Sequence, residues 1–248
     1  MTEMKQYVET VSRGLTLRGF LELPDHVENP PLLVMFHGFT GSKSEKHFLL
    51  SRLSREVVRS GVATLRFDFG GTAESDGDFK DVTPLTEIED GLAVIRFARQ
   101  LETVDRDRIM LLGFSLGGFV AANVAGRIPE QLERLILISP ALVTHKKMER
   151  MYLETGSCGR GSLVLTKKFF EDGNAIDVME VSRHFTGPVT IIQGTIDTAV
   201  PPETALRYQN NFSRASLHYI EGAVHSYDTP GHFEELAALV LEAVRMPC

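Results

Sequence analysis

The chain has 248 residues, 43% of them hydrophobic and 24% charged, and a formal charge of −7, which excludes a disordered chain and gives no dense Lys/Arg run for neutralising phosphates. No nucleic-acid partner is expected. Cys158 and Cys248 form neither a disulfide framework nor a zinc site, the first twenty residues are too charged for a leader, and no apolar run could span a bilayer, so a cytoplasmic protein without membrane insertion is expected.

Residues 7–11 and 15–23 alternate apolar and polar side chains around Ser12-Arg13-Gly14, which predicts an antiparallel hairpin at one sheet edge. Short apolar segments follow at 32–36, 63–67, 109–112, 135–138, 189–192 and 217–220, with the length and β-branched content of buried parallel strands. Amphipathic stretches of helical length separate them, at 47–60, 87–101, 116–128, 202–211 and 232–244. This alternation predicts an α/β domain over residues 1–248, a mostly parallel twisted sheet with helices on both faces. The interval between the fourth and fifth of these strands exceeds what one crossover needs and predicts a small lid at 141–186. Ligand sites in such sheets form beyond the carboxyl ends of strands, so the residues there matter most.

One such end reads Gly113-Phe114-Ser115-Leu116-Gly117, an apolar strand running into G-x-S-x-G and then a small-residue helix. The pattern is that of a nucleophile elbow, in which glycines leave room around a strained serine. Ser115 is the expected nucleophile. The Leu116 N–H at the helix start and the Phe39 N–H in His37-Gly38-Phe39, just after an earlier strand, are the expected oxyanion donors. A serine hydroxyl needs a base, and the base needs an orienting acid. His225, after the last strand, and Asp197, after the strand before it, supply them in the chain order Ser, Asp, His.

Blander roles suit the other candidates. His37 lies too early to be the base and should brace the oxyanion turn through loop backbone. Asp68 should brace its own loop, and Asp172 and Asp177, the fallback acids, should cap or solvate helices. The stretch Gly70 to Gly77 lacks the G-K-[ST] ending of a phosphate loop and reads as a surface loop beside the site. Met148, Met151, Tyr152, Phe169 and Phe170 are candidates for an acyl pocket, with ordinary helical packing as the alternative.

His37-Gly38-Phe39-Thr40-Gly41, Glu45-Lys46-His47-Phe48, Arg66-Phe67-Asp68-Phe69, Glu74-Ser75-Asp76-Gly77 and the Ser115 elbow resemble the bacterial cinnamoyl and feruloyl esterases of the α/β-hydrolase fold. The likeness spans nearly the whole chain and is weakest at 141–171, where those relatives carry a variable lid. It implies Ser115, Asp197 and His225 as the triad and the Phe39 and Leu116 N–H groups as the oxyanion hole, matching the reading of the residues. Two departures stand out: Ala73 occupies a position where a glycine is expected, and the chain has no Trp.

The expected activity is serine carboxylester hydrolysis on small acyl or aryl esters, hydroxycinnamoyl esters included, without metal or organic cofactor. A thioesterase, an acylglycerol lipase and a small-peptide hydrolase are the alternatives on the same fold, and a ligand receptor that keeps the triad is the alternative from another class. The oligomeric state is left open between monomer and homodimer.

Overall fold

A computed structural model describes residues 4–142, 149–150, 152–153, 158–160 and 163–246. Eight strands form one sheet in the order β1-β2-β4-β3-β5-β6-β9-β10. β1 (Met4–Ser12) and β2 (Leu15–Leu23) make the expected hairpin, with Ser12 opposite Leu15, and β2 pairs antiparallel with β4 (Ala63–Phe67). From β4 onward the sheet is parallel, through β3 (Leu32–Phe36), β5 (Ile109–Phe114), β6 (Arg134–Ile138), β9 (Val189–Gly194) and β10 (Ala215–Ile220). This is the mostly parallel sheet with helices on both faces that the element pattern implied. β7 (Cys158–Arg160) and β8 (Leu163–Leu165) form a separate small hairpin.

The continuous apolar runs of the inner strands are explained by burial on both faces. In β3, Leu32, Val34 and Phe36 enter one core cluster while Leu33 and Met35 enter the other. The first cluster lies under α2 (Pro84–Ala98), α3 (Leu116–Arg127), α5 (Val178–Ser182) and α6 (Pro202–Asn211), together with Phe169 and Phe170 of α4 (Lys167–Ala175). The second lies under α1 (Leu49–Arg59) and α7 (Pro230–Arg245). No helix among the described residues is long and apolar enough to cross a membrane.

Element boundaries differ from the periodicity where local chemistry overrides it. The first helix begins at Leu49 rather than at 47, because His47 and Phe48 take left-handed φ values of 52° and 56° and interrupt it. α2 begins at Pro84, three residues before its periodic face, because Thr83 caps it: the Thr83 side chain accepts from the Thr86 N–H and Thr86 Oγ1 accepts from the Thr83 N–H. Thr229 and Pro230 start α7 early in the same way. Within 141–186 the described residues include α4 and α5, and α5 rests so closely on α3 that a Cβ on Gly126 would lie 2.1 Å from the Val181 carbonyl oxygen.

Candidate active site

β5 ends at Phe114 and α3 begins at Leu116, leaving Ser115 as the single residue between strand and helix. Its φ of 56° and ψ of −119° are strained for a side-chain-bearing residue. Four backbone hydrogen bonds hold it there: its N–H donates to Ile138 O at 2.9 Å, and its carbonyl accepts from the N–H groups of Gly118 and Ala141, each at 2.9 Å, and of Phe119 at 3.4 Å. The elbow glycines are sterically required. A Cβ on Gly113 would sit 2.2 Å from Gly117 O, and one on Gly117 would sit 2.4 Å from His37 O and 2.5 Å from Phe36 O.

The loops after β9 and β10 bring Asp197 and His225 to this serine. Ser115 Oγ lies 3.0 Å from His225 Nε2, and His225 Nδ1 lies 2.7 Å from Asp197 Oδ2. The Asp197 carboxylate is buried and densely solvated by protein. Oδ1 accepts from the N–H groups of Ala199 and Val200 at 2.9 and 2.8 Å, and Oδ2 also accepts from Gln193 Nε2 at 3.1 Å. Burial alone would raise its pKa, but His225, the Val200 N–H and the Ser139 hydroxyl outweigh that and hold it below the ordinary carboxylate value. Behind it, Ser139 and Tyr227 share a buried hydroxyl–hydroxyl hydrogen bond of 2.8 Å. The ionised Asp197 carboxylate accepts a hydrogen bond from His225 Nδ1–H, and in that tautomer Nε2 is free to accept from the Ser115 hydroxyl.

The third loop, after β3, carries the backbone that faces the elbow. His37 braces it as expected: the Phe69 N–H donates to Nε2 at 3.2 Å, so the ring carries its proton on Nδ1 and donates it to Gly38 O at 2.9 Å. Glu45 folds back under the same turn, its Oε2 accepting the Gly38 N–H at 2.8 Å and filling the space beside Gly41. Among the described residues no acceptor takes the N–H of Phe39 or of Leu116. Asp68 accepts from the N–H groups of Lys43 and Glu74 and pairs with the Lys43 ammonium, the bracing role expected of it. Ala73 has a φ of 42°, so the loop keeps the left-handed turn that favours glycine although alanine stands there.

Of the acyl-pocket candidates, Met148 and Met151 lie outside the described residues. Phe169 and Phe170 are buried, and with half-buried Tyr152 they form an aromatic row that reaches the loop after β3: Tyr152 to Phe170 at 5.4 Å, Phe170 to Phe169 at 5.4 Å and Phe169 to Phe39 at 5.5 Å between ring centroids. Asp177 caps α5 through the N–H groups of Met179 and Glu180, and Asp172 pairs with Lys168 one turn away. Neither approaches His225 as a hydrogen-bond partner. Among the described residues no group of three or more His, Cys, Asp or Glu side chains could hold a metal ion.

Sequence reasoning missed the supporting residues. Glu45 accepts the Gly38 N–H, Gln193 donates to Asp197, and Tyr227 bonds Ser139 behind that carboxylate; Glu45 and Gln193 lay in segments singled out for their pattern, but neither was given a role.

Residues 28–172 match the family model described as serine aminopeptidase, S33. The chain belongs to this family of serine hydrolases. Among solved structures, the S33 hydrolase is similar to Est1E from Butyrivibrio proteoclasticus with ferulic acid bound, at 26% identity and a TM-score of 0.83 over 96% of this chain and 100% of that one. It is an α/β-hydrolase resembling the feruloyl esterase group. Among curated relatives it is 35% identical over 115 residues to an uncharacterized 31.7 kDa protein from the traX-finO intergenic region of Escherichia coli, covering 46% of this chain and 38% of that one. It is also 29% identical over 112 residues to the quorum-quenching protein AidA of Acinetobacter baumannii, covering 45% and 36%. These matches thus span well under half of the relatives' own length. The family match includes Ser115 and the loop after β3 and ends before Asp197 and His225.

Proposed function

We propose that this hydrolase is a serine carboxylesterase that cleaves small acyl or aryl esters, hydroxycinnamoyl esters among them, through an acyl-enzyme on Ser115. The observation that supports it most is the continuous chain from Ser115 Oγ through His225 to Asp197, at 3.0 and 2.7 Å. Ser115 attacks the ester carbonyl as His225 Nε2 takes its proton, and Asp197 holds the tautomer and stabilises the imidazolium. The Phe39 and Leu116 N–H groups receive the oxyanion of the tetrahedral intermediate. His225 then protonates the departing alcohol, and a water deprotonated at the same nitrogen releases the acid. The likeness to Est1E with ferulic acid bound and the aromatic row beside Phe39 favour an aromatic acyl group.

The family description favours a second reading, hydrolysis of small peptides, because the same residues cleave an amide when His225 protonates a leaving amine. Ser115→Ala is expected to abolish fluorophosphonate labelling and nitrophenyl ester hydrolysis while leaving the thermal midpoint unchanged. Labelling retained at another serine would sink the assignment. Comparing kcat/KM on hydroxycinnamate esters, short-chain nitrophenyl esters, acyl-CoA and aminoacyl amides should rank an ester first. An amide or thioester ranked first overturns the carboxylesterase reading and keeps the serine mechanism; negligible turnover with ligand-induced stabilisation points to a receptor.

A further inference from the structure

β1 is an edge strand, paired with β2 on its inner side only. Which of its backbone groups face outward follows from the hairpin. Arg13 and Gly14 both have positive φ, 51° and 77°, as a two-residue I′ turn requires, and Ser12 and Leu15 close the turn as a pair exchanging both backbone hydrogen bonds. Bonding to β2 then recurs at every second residue back to Met4. The N–H and C=O groups of Lys5, Tyr7, Glu9 and Val11 therefore point away from the sheet.

The side chains of those residues share one face. On it Lys5 stands opposite Glu22, Tyr7 opposite Phe20 and Glu9 opposite Arg18. Lys5 Nζ lies 3.2 Å from Glu22 Oε1 and Arg18 Nε lies 3.5 Å from Glu9 Oε1, while the Tyr7 and Phe20 rings meet edge-on at 6.1 Å. Tyr7 is nevertheless 52% exposed and Val11 66% exposed. An edge lysine ordinarily guards a strand against pairing. Here Glu9, two positions beyond Tyr7 as Lys5 is two before it, makes the strand complementary to itself.

We infer that β1 is the seat of a homodimer in which two copies pair antiparallel about a dyad through Tyr7, continuing one sheet into the other. In that register Lys5 faces the partner's Glu9 and Glu9 faces the partner's Lys5. The row across the interface then alternates in sign: Glu22, Lys5, the partner's Glu9, the partner's Arg18. The central row is aromatic throughout, with the two Tyr7 rings flanked by the two Phe20 rings. Other registers lose this. A dyad at Glu9 opposes like charges, a dyad at Val8 sets Lys5 against Val11, and a dyad at Gln6 sets it against Tyr7. A two-fold axis needs such a self-complementary patch.

Sedimentation of the full chain at micromolar concentration tests the interface. The wild type is expected to sediment as a dimer. K5E and E9K should each sediment as monomers, because each sets like charges across the dyad. An equimolar mixture of the two should re-form dimers, because every facing pair is again opposite in sign. A monomeric wild type, single variants that stay dimeric, or a mixture that stays monomeric would each overturn the proposal. Because Lys5 also pairs with buried Glu22, a second test avoids the charges. In a Cys158→Ser, Cys248→Ser background, Tyr7→Cys should oxidise to a covalent dimer, since facing hydrogen-bonded residues lie about 5.5 Å apart, within disulfide range. A Tyr7→Cys chain that stays monomeric, or a Val11→Cys chain that cross-links equally well, overturns the dyad at Tyr7.

Discussion

Ser115 and Asp197 are held at the ends of β5 and β9, with β6 between them, by opposite means. The serine is placed by sterics: its strained backbone is enforced where Gly113 and Gly117 allow strand, helix and the β3 loop to touch. The aspartate is placed by donors: two backbone N–H groups, Gln193 and His225 converge on its carboxylate. The first arrangement demands glycine at fixed positions; the second demands amides that almost any residue supplies. Sequence records steric constraint more faithfully than it records backbone hydrogen bonding.

Gly117→Ala should break the steric side outright. The added Cβ meets the carbonyl oxygens of His37 and Phe36, which are backbone atoms with no rotamer to give way. A loss above about 4 kcal/mol in urea unfolding, with no measurable ester hydrolysis, is expected. A wild-type unfolding midpoint would show that the elbow does not depend on that contact.

Asp197→Asn tests the donor side and should leave the fold standing. An amide in place of the carboxylate no longer selects the Nδ1–H tautomer of His225, so kcat should fall by about 10⁴-fold under the proposed mechanism. The stability difference between wild type and variant adds a pH test. Because the folded Asp197 pKa is lowered, its ionised form stabilises the fold above the ordinary carboxylate pKa of about 3.9 and ceases to do so as pH falls through the lowered value. The difference in unfolding free energy should therefore be level at neutral pH and collapse in acid. A difference that persists into acid would mean the carboxylate charge is not what the donors hold.

The same division separates what was legible in the sequence from what was not. The strand cores at Leu32–Phe36 and Ala63–Phe67 were readable to the residue because double-sided burial leaves an unbroken apolar run. The spatial meeting of Ser115, Asp197 and His225 was readable because each follows a strand of one parallel sheet. Glu45 under the Gly38 turn was not, since a carboxylate reaching back seven residues to a backbone N–H leaves no periodic trace. Ser139 and Tyr227 meet across 88 positions, a contact only the folded sheet creates. The early start of α2 is signalled by Thr83-Pro84, a capping cue that lies ahead of the apolar face and leaves no mark on its periodicity.

A second buried carboxylate completes the contrast between charge with donors and charge without. Glu87, in the first turn of α2, has its Oε2 without a hydrogen-bond partner among the described residues. Burial, then repulsion by Asp90, push its pKa well above the ordinary value, against the attraction of Arg13. The linkage sign is opposite to that of Asp197. The folded protein keeps a proton that the unfolded chain releases, so this group's contribution to stability is full below about pH 4 and declines as pH rises toward the folded pKa. Glu87→Gln removes that slope. It should raise the thermal midpoint at neutral pH, by about 2–4 °C for each kcal/mol recovered, with the gain shrinking toward zero in acid and ester hydrolysis unchanged throughout. A midpoint difference that stays flat from about pH 4 to about pH 8 would mean that Glu87 is ionised in the fold. In that case the donors around Asp197 would not be what sets the two carboxylates apart.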